Sequence, residues 1–210
     1  MTILAFGFEP FLEFDENPSG LIASRLDGRI INGQTVVSKI LHVDYSLVES
    51  EISATIRATH PLLAVGFGLA ASRTKVTPEK IAINYRYSNE PDNTGKNIGG
   101  APIVAGSPDG LFTNLPVEGL VDHLNKEGVP SSISTTAGAY LCNNAMFVIM
   151  KEARNKGFGG GFIHLPCHSE WVARKNKSYA SMPMETLFKA AELSLAYCLD
   201  NLRHLAVHPQ

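Results

Sequence analysis

The stretch SISTTAGAYLCNNAMFVIMKEARNKGFGGGFIHLP, residues 132–166, decides how this chain is expected to fold. Its β-rich start predicts a strand at 132–136, and the apolar spacing that follows predicts a helix at 140–155. The next apolar run predicts a strand at 161–165, closed by Pro166. Two strands joined by a helix of this length are typical of a βαβ unit, whose strands lie parallel in one sheet.

Outward from this unit, predicted strands and helices continue to alternate. The predicted strands cover residues 2–6, 35–43, 62–67 and 80–87, and the predicted helices cover 18–26, 44–59, 117–126 and 185 to about 204. Asn17 and Asp44 are expected to cap the first two helices. The segment 88–113 contains PDNTG, GGAP and GSPDG and predicts a long irregular loop. The pattern favours one α/β domain, residues 1–210, around a mostly parallel sheet.

The composition excludes several classes of protein. Of 210 residues, 44% are hydrophobic and 18% charged, as in globular domains. The formal net charge of -2 gives no electrostatic reason to expect binding to nucleic acid or to an anionic membrane. No apolar run approaches the roughly 18 residues of a membrane span. The start, MTILAFGFEPF, lacks the features of a signal peptide, so we expect a cytoplasmic protein.

Cys142 lies where the predicted strand turns into the predicted helix, a place where sheets of this kind bind ligands. The free N–H groups and positive dipole end of the helix are expected to lower the pKa of its thiol and favour thiolate. With Cys167 and Cys198 it makes an odd set of three, expected to be free thiols. The alternative for Cys142 is an inward-facing helix residue that packs beside Ala145 and Met146.

Two further side chains could complete a set of nucleophile, base and orienting residue. His164 ends an apolar strand just before Pro166, and an imidazole with an ordinary pKa of about 6.5 suits a base. A buried structural histidine is the alternative, with His168 as a competing base. Glu79 follows a Thr-Pro turn and could hold the imidazole in one tautomer. In isolation, a glutamate at such a place is more typical of a surface charge.

Phe8 and Phe11 lie just past the first predicted strand, where two rings could form the walls of a small flat pocket. Ordinary hydrophobic capping of the sheet edge is the alternative. Neither GxGxxG nor GxxxxGK[ST] occurs, and no His, Asp and Glu residues have the spacing of metal ligands. We therefore expect no cofactor and no metal.

Six sequence blocks follow one another along nearly the whole chain. They are GFEPF with NPS (7–19), SRTKVTPEKIAIN (72–84), PDNTG (91–95), AGAYLCN (137–143), GFIHLP (161–166) and SMPMET (181–186). In this order they resemble the pyroglutamyl-peptidase (pyrrolidone-carboxylate peptidase) family of cysteine peptidases. The resemblance implies a single-domain, three-layer α/β/α sandwich, a homotetramer or another homo-oligomer, and peptides with an N-terminal pyroglutamate as substrates.

The resemblance also implies roles for individual residues. By motif, the nucleophile falls on Cys142, the base on His164 and the acidic member on Glu79. The implied substrate-binding residues are Phe8 and Phe11, which would hold the pyroglutamyl ring between them, with Asn17, Leu69, Tyr140 and Leu141.

Three segments depart from the family pattern. Residues 69–72 are LAAS where the family often has Gln-Ala-Gly-Gly, and residues 166–171 are PCHSEW where it usually has Pro-aromatic and then Pro-Glu-Gln. Asn89 stands where an arginine is common, with Arg86 as a possible replacement. If glycine is needed at 71 and 72 for positive φ or for close approach, the residues present would reshape the pocket wall.

These residues and the resemblance together predict a cysteine omega-peptidase that removes N-terminal pyroglutamate through a thioester acyl-enzyme. The altered segment 69–72 leaves one alternative, a related thiol hydrolase of another small cyclic amide or acyl group. A second alternative is a non-catalytic binding protein on the same fold, which predicts a thiol of ordinary reactivity.

Overall fold

The computed structural model describes residues 2–202. Along the chain the strands are Thr2–Phe8 (β1), Ile30–Ile31 (β2), Gln34–Leu41 (β3), Leu63–Leu69 (β4), Thr77–Pro78 (β5), Ile81–Ile83 (β6), Arg86–Ser88 (β7), Ile98–Ala101 (β8), Gly110–Phe112 (β9), Gly159–Leu165 (β10), Cys167–His168 (β11) and Ser181–Met182 (β12). The helices are Pro18–Leu26 (α1), Val48–Thr59 (α2), Val117–Lys126 (α3), Leu141–Lys156 (α4), Ser169–Arg174 (α5) and Met184–Asn201 (α6).

Six of these strands form the central sheet, in the order β2-β3-β1-β4-β10-β5. The four inner strands are parallel, and the short edge strands β2 and β5 are antiparallel to their neighbours. Helices pack on both faces of the sheet. The predicted fold class, a three-layer α/β/α sandwich around a mostly parallel sheet, is confirmed. That the domain extends over residues 1–210 stays a prediction.

The alternation of side chains along β10 decides which of its residues face each helical layer. Ile163 and Leu165 belong to the hydrophobic cluster with α1, α3 and α6, whereas Phe162 belongs to the cluster with α2 and α4. His164 lies two residues after Phe162 and so faces the same side of the sheet, and the two ring centroids are 5.0 Å apart. The histidine therefore lies on the face of the sheet that α4 covers.

Local capping explains where α1 and α4 begin. The Ser19 N–H donates to Asn17 Oδ1 at 3.1 Å, so the predicted N-cap of α1 is confirmed. The helix α4 begins one residue later than predicted, with Tyr140 in an extended conformation at its N-cap. It stops at Gly157, whose left-handed backbone (φ 75°) lets its N–H donate to the Ala153 carbonyl at 2.8 Å.

The strand predicted at 132–136 is wrong. Its backbone is held against the segment 76–80 by isolated bridges at Ser131 and Ser134 only. Beyond them the Thr136 N–H donates to Ser134 Oγ at 3.3 Å, so a side-chain turn replaces the ladder that a strand would continue. The segment that leads into α4 is therefore a loop, anchored to residues on the far side of β10.

The predicted cap at Asp44 is also wrong. Its carboxylate accepts the Ser46 N–H at 2.7 Å and closes a turn, which delays the start of α2 to Val48 with Leu47 at the N-cap. The remaining predicted helices and sheet strands are found within a few residues of their predicted limits.

The strand predicted at 80–87 is in fact two strands, β6 and β7, which pair with β9 and β8. Both partners come from the segment 88–113, which is therefore only partly irregular. The predicted end of the last helix, His204, lies outside the described residues. Between residues 2 and 202, the structure contains no helix with the length and apolar character needed to cross a membrane.

Candidate active site

A cavity of about 340 Å³ opens at the carboxyl ends of β1, β4 and β10, next to the start of α4. Eight of the nine predicted site residues line it: Phe8, Phe11, Asn17, Leu69, Tyr140, Leu141, Cys142 and His164. The other lining residues are Val43, Ala70, Ser72, Arg73, Thr136, Ala137 and Gly138. The ninth predicted residue, Glu79, is fully buried next to His164.

His164 and Glu79 are joined by a hydrogen bond, with His164 Nδ1 2.7 Å from Glu79 Oε1. The antiparallel register of β5 and β10 brings them together, because His164 pairs with Thr77 and the Glu79 N–H donates to the Phe162 carbonyl at 2.9 Å. An ionised carboxylate only accepts hydrogen bonds, so Nδ1 carries the proton in this pair. The nitrogen left to accept a proton is Nε2.

Cys142 is the second residue of α4 and the only partly exposed cysteine of the three. Its sulfur packs against Gly68 on β4: a Cβ added to Gly68 would lie 2.9 Å from Sγ and 2.8 Å from the Phe162 ring. Gly68 pairs with His164 in the parallel register of β4 and β10. The missing side chain at position 68 therefore makes room for the thiol beside the strand that carries the histidine.

The competing residues lie elsewhere. Cys167 and Cys198 are free and buried, and neither lines the cavity. His168 is buried against Glu170, with 3.4 Å between His168 Nδ1 and Glu170 Oε2, and also lies outside the cavity. Between residues 2 and 202, no three His, Cys, Asp or Glu side chains are grouped to hold a metal ion.

Burial dominates the electrostatics of the thiol and the imidazole. It raises the pKa of Cys142 to about 12, with a further rise from the negative charge of Glu79 and an opposing effect of Arg73. Burial also lowers the pKa of His164 below its ordinary value, although the hydrogen bond to Glu79 opposes this. The expectation that the helix N-terminus favours a thiolate is therefore wrong. At neutral pH the cavity holds a thiol and a neutral imidazole.

Aromatic rings form the walls of the cavity. The ring centroids of Phe11 and Tyr140 are 6.3 Å apart, and Phe14 braces Phe11 at 5.5 Å. The Tyr140 hydroxyl donates to the Pro91 carbonyl at 2.9 Å, which fixes the far end of that ring. Phe8, at the end of β1, adds a third ring. The result is a slot with flat, apolar walls that leads to the thiol.

Asn17 uses most of its hydrogen-bonding capacity within the chain. Its Oδ1 accepts both the N–H and the hydroxyl of Ser19, and its Nδ2 donates to the Glu9 carbonyl at 3.0 Å. These bonds tie the end of β1 to α1 and so hold the wall that carries Phe8. One amide N–H of Asn17 remains for a ligand.

Of the three segments that depart from the family pattern, only residues 69–72 contribute to the lining of the cavity. Ala71 and Ser72 are not among the residues with positive φ, so this backbone does not require glycine at either position. Arg86 is held by a carboxylate of α2 at 3.1 Å, and Asn89 is exposed; neither lines the cavity. That Arg86 replaces the family arginine stays a prediction.

Arg73 is the cavity residue that the sequence pattern gave no reason to choose. Its Nη1 donates to Glu79 Oε1 at 2.7 Å, and its Nη2 donates to the Thr136 carbonyl at 2.8 Å. In the sequence it stands two residues from Lys75, and neither hydropathy nor spacing distinguishes the two cations. The pairing of β5 with β10, which the sequence pattern does not predict, is what brings Arg73 to the site.

Comparison with known proteins identifies the family. The family model described as pyroglutamyl peptidase matches residues 1–200. The chain belongs to the pyroglutamyl peptidase family. This membership confirms the resemblance drawn from the motif blocks, and with it the class of cysteine peptidase.

Individual relatives of this family are similar over their full length. Pyrrolidone-carboxylate peptidase 1 of Saccharolobus solfataricus is 51% identical over 201 residues, which cover 96% of this chain and 95% of the relative. The pyrrolidone-carboxylate peptidase of Coprothermobacter proteolyticus is 37% identical, with 95% and 98% covered. The crystal structure of pyrrolidone carboxyl peptidase from Pyrococcus furiosus has a TM-score of 0.93 at 34% identity, covering 96% of this chain and all of that chain.

The protonation state of the thiol can be tested with iodoacetamide. Because burial raises the pKa of Cys142 to about 12, the reactive thiolate is a small minority at neutral pH and grows as the pH rises. We expect the alkylation rate of Cys142 to rise about tenfold per pH unit between about pH 7 and pH 10 without levelling off. Mass spectrometry of the peptide that contains Cys142 follows the reaction.

The same cysteine in urea-unfolded protein is the matched control, and its rate should level off near the ordinary thiol pKa of about 8.5. A rate in the folded protein that levels off below about pH 8 would show a preformed thiolate and contradict the neutral pair.

Proposed function

We propose that this chain removes pyroglutamate from the N-terminus of peptides, with Cys142 as nucleophile, His164 as base and Glu79 as the residue that orients the base. The observation that carries the proposal is an aromatic slot that ends at a thiol, beside a histidine bonded to a buried carboxylate. Membership of the pyroglutamyl peptidase family supports it, as do relatives named pyrrolidone-carboxylate peptidases.

The charge of the cavity favours a lactam over a free amine. Arg73 and His164 line it, whereas none of the described lining residues is Asp or Glu. An N-terminal ammonium would lose its hydration there without gaining an anionic partner. Pyroglutamate has no ammonium group, and its flat ring suits a slot walled by aromatic faces.

All six residues predicted to contact the substrate keep that role in the proposal, because all six line the slot: Phe8, Phe11, Asn17, Leu69, Tyr140 and Leu141. The three rings contact the faces and edges of the lactam. The remaining amide N–H of Asn17 is a donor for the lactam carbonyl.

Acylation starts from the thiol and the neutral imidazole. As Cys142 Sγ bonds to the carbonyl carbon beside the pyroglutamyl ring, the thiol proton passes to His164 Nε2. Glu79 stabilises the imidazolium through Nδ1. The first N–H groups of α4 have no acceptor within the helix and can donate to the oxyanion. His164 then protonates the leaving nitrogen, and the C–N bond breaks to leave a thioester.

Deacylation uses the same groups in the opposite direction. His164 Nε2 takes a proton from water as the oxygen attacks the thioester carbon. The carbon–sulfur bond then breaks, the sulfur regains the proton from His164, and pyroglutamate leaves. A related hydrolase of another small cyclic amide would use these same steps, but no feature of the slot favours another ring.

The activity is tested with pyroglutamyl-aminomethylcoumarin against its prolyl counterpart, which has a similar ring but a cationic nitrogen. We expect kcat/KM to favour the pyroglutamyl substrate by at least about 100-fold, because a buried site rejects a group whose hydration it cannot replace. Cys142→Ser and His164→Gln should each lower turnover by about 1,000-fold or more without a change in circular dichroism.

Cys167→Ala and His168→Gln are the matched controls, since both residues are buried beside α5 and outside the cavity. They should retain turnover. If His168→Gln abolishes turnover and His164→Gln does not, the assignment of the base is wrong. If the wild-type protein binds the pyroglutamyl substrate but hydrolyses neither substrate, the chain is a binding protein instead.

We also propose that the protein is a cytoplasmic homotetramer or another homo-oligomer, with the tetramer as the expected state. Free thiols suit a reducing compartment. Exposed apolar side chains on and between β6, β7 and β9 would be covered by another copy of the chain; they are Ile83, Tyr85, Tyr87 and Phe112. Light scattering of the purified protein should give four times the mass of one chain, and the mass of a monomer would contradict this assembly.

A further inference from the structure

The Arg73 side chain connects three parts of the cavity wall. Its Nη1 donates to Glu79 Oε1 at 2.7 Å and also to Thr77 Oγ1 on β5. Its Nη2 donates to the Thr136 carbonyl at 2.8 Å. The side chain is only 22% exposed. One planar guanidinium therefore joins Thr77 on β5, and Glu79 just after that strand, to the loop that leads into α4.

The Glu79 carboxylate depends on this contact for its charge balance. Its side chain has no exposed surface, and Oε1 receives both the His164 ring and the Arg73 guanidinium. Oε2 has no hydrogen-bond partner within the described residues. A buried carboxylate needs an opposite charge close by. Because the imidazole is neutral before reaction, Arg73 is the cation that supplies it.

The hydrogen bond of Arg73 with the Thr136 carbonyl fixes the loop that leads to Cys142. Thr136, Ala137 and Gly138 line the cavity and lie shortly before Tyr140, the N-cap of α4. No strand ladder holds these residues, because the pairing with 76–80 ends at Ser134. The hydrogen bond from Arg73 to the Thr136 carbonyl is thus the side-chain link between this loop and the carboxylate that orients His164, and it lies beyond the backbone bridge of Glu79 with Ser134.

We propose that Arg73 is a positioning residue: the fork formed by its guanidinium nitrogens Nη1 and Nη2 holds the Glu79–His164 pair in place relative to the loop that delivers Cys142, and its charge balances the buried Glu79 carboxylate that orients the base. The inference rests on the proposed function, because it assigns Arg73 a part in the same reaction. Lysine could supply the charge but not the fork, since one ammonium cannot hold the carboxylate and the Thr136 carbonyl in a plane.

The charged groups that face His164 give the direction in which its pKa should change when the charge of Arg73 is removed. Glu79 raises the pKa of the imidazole, whereas burial and Arg73 lower it, and the facing thiol of Cys142 is neutral. Removal of the Arg73 charge must therefore raise the pKa of His164. More of the imidazole is then protonated at a given acidic pH, and it cannot act as base. The acid limb, which is the rise of kcat/KM on the acidic side of its pH profile, therefore moves to higher pH.

The test compares Arg73→Met and Arg73→Lys with Lys75→Met, a control that removes an exposed cation two residues away. With pyroglutamyl-aminomethylcoumarin, Arg73→Met should lower kcat about tenfold or more with little change in KM, as loss of positioning does. It should also shift the acid limb upward by about half a pH unit or more. Arg73→Lys should restore the limb but not kcat. Lys75→Met should change neither.

Full recovery of kcat in Arg73→Lys would overturn the role of the fork. An unshifted acid limb in Arg73→Met would overturn the role of the charge. The His164 ring proton titrated by NMR gives a readout that needs no turnover. If the wild-type protein proves inactive on pyroglutamyl substrates, the proposed function fails on its own. The inference then stands if Arg73→Met, but not Lys75→Met, raises the His164 pKa, and falls if neither does.

Discussion

The backbone pairing of β10 with its two neighbours is the constraint on which the site depends. On one side the parallel register places His164 level with Gly68, whose missing side chain admits the Cys142 sulfur. On the other side the antiparallel register places it level with Thr77, two residues before Glu79. A shift of one residue would turn the imidazole to the opposite face, away from α4. The ladder of one strand thus fixes nucleophile, base and carboxylate together.

Burial then sets the chemistry that this geometry allows. It raises the pKa of the thiol and lowers that of the imidazole, so charge separation is deferred until the sulfur attacks. Glu79 and Arg73 form an ionised pair, and their opposite charges balance each other across 2.7 Å between Glu79 Oε1 and Arg73 Nη1. The aromatic walls of the slot therefore present neutral, flat surfaces to an incoming ring, while Arg73 is the charged side chain of the lining. The Glu79 carboxylate, which stabilises the imidazolium, is buried next to His164.

Local signals in the sequence predicted most of the sheet and placed Phe8, Phe11, Cys142 and His164 at its functional edge. The other substrate-binding residues followed only from the family resemblance; they are Asn17, Leu69, Tyr140 and Leu141. Apolar runs mark β1, β4 and β10, and chemically distinctive side chains stand at the strand ends. What it missed depends on contacts between distant segments. The strand expected at 132–136 was a loop pinned by side-chain turns, and β5 is too short for a periodic pattern. The contacts of Arg73 and the raised pKa of Cys142 depend on pairing and burial that no local pattern contains.

The claim most central to this account is that Cys142 carries the pyroglutamyl group during turnover. Pyroglutamyl p-nitrophenyl ester acylates without needing protonation of its leaving group, so the thioester should accumulate before deacylation. Acid quench within the first turnover, followed by peptide mapping, should find one pyroglutamyl group on the peptide that contains Cys142. Turnover with that peptide unmodified, or with the acyl group on Cys167 or Cys198, would contradict the account.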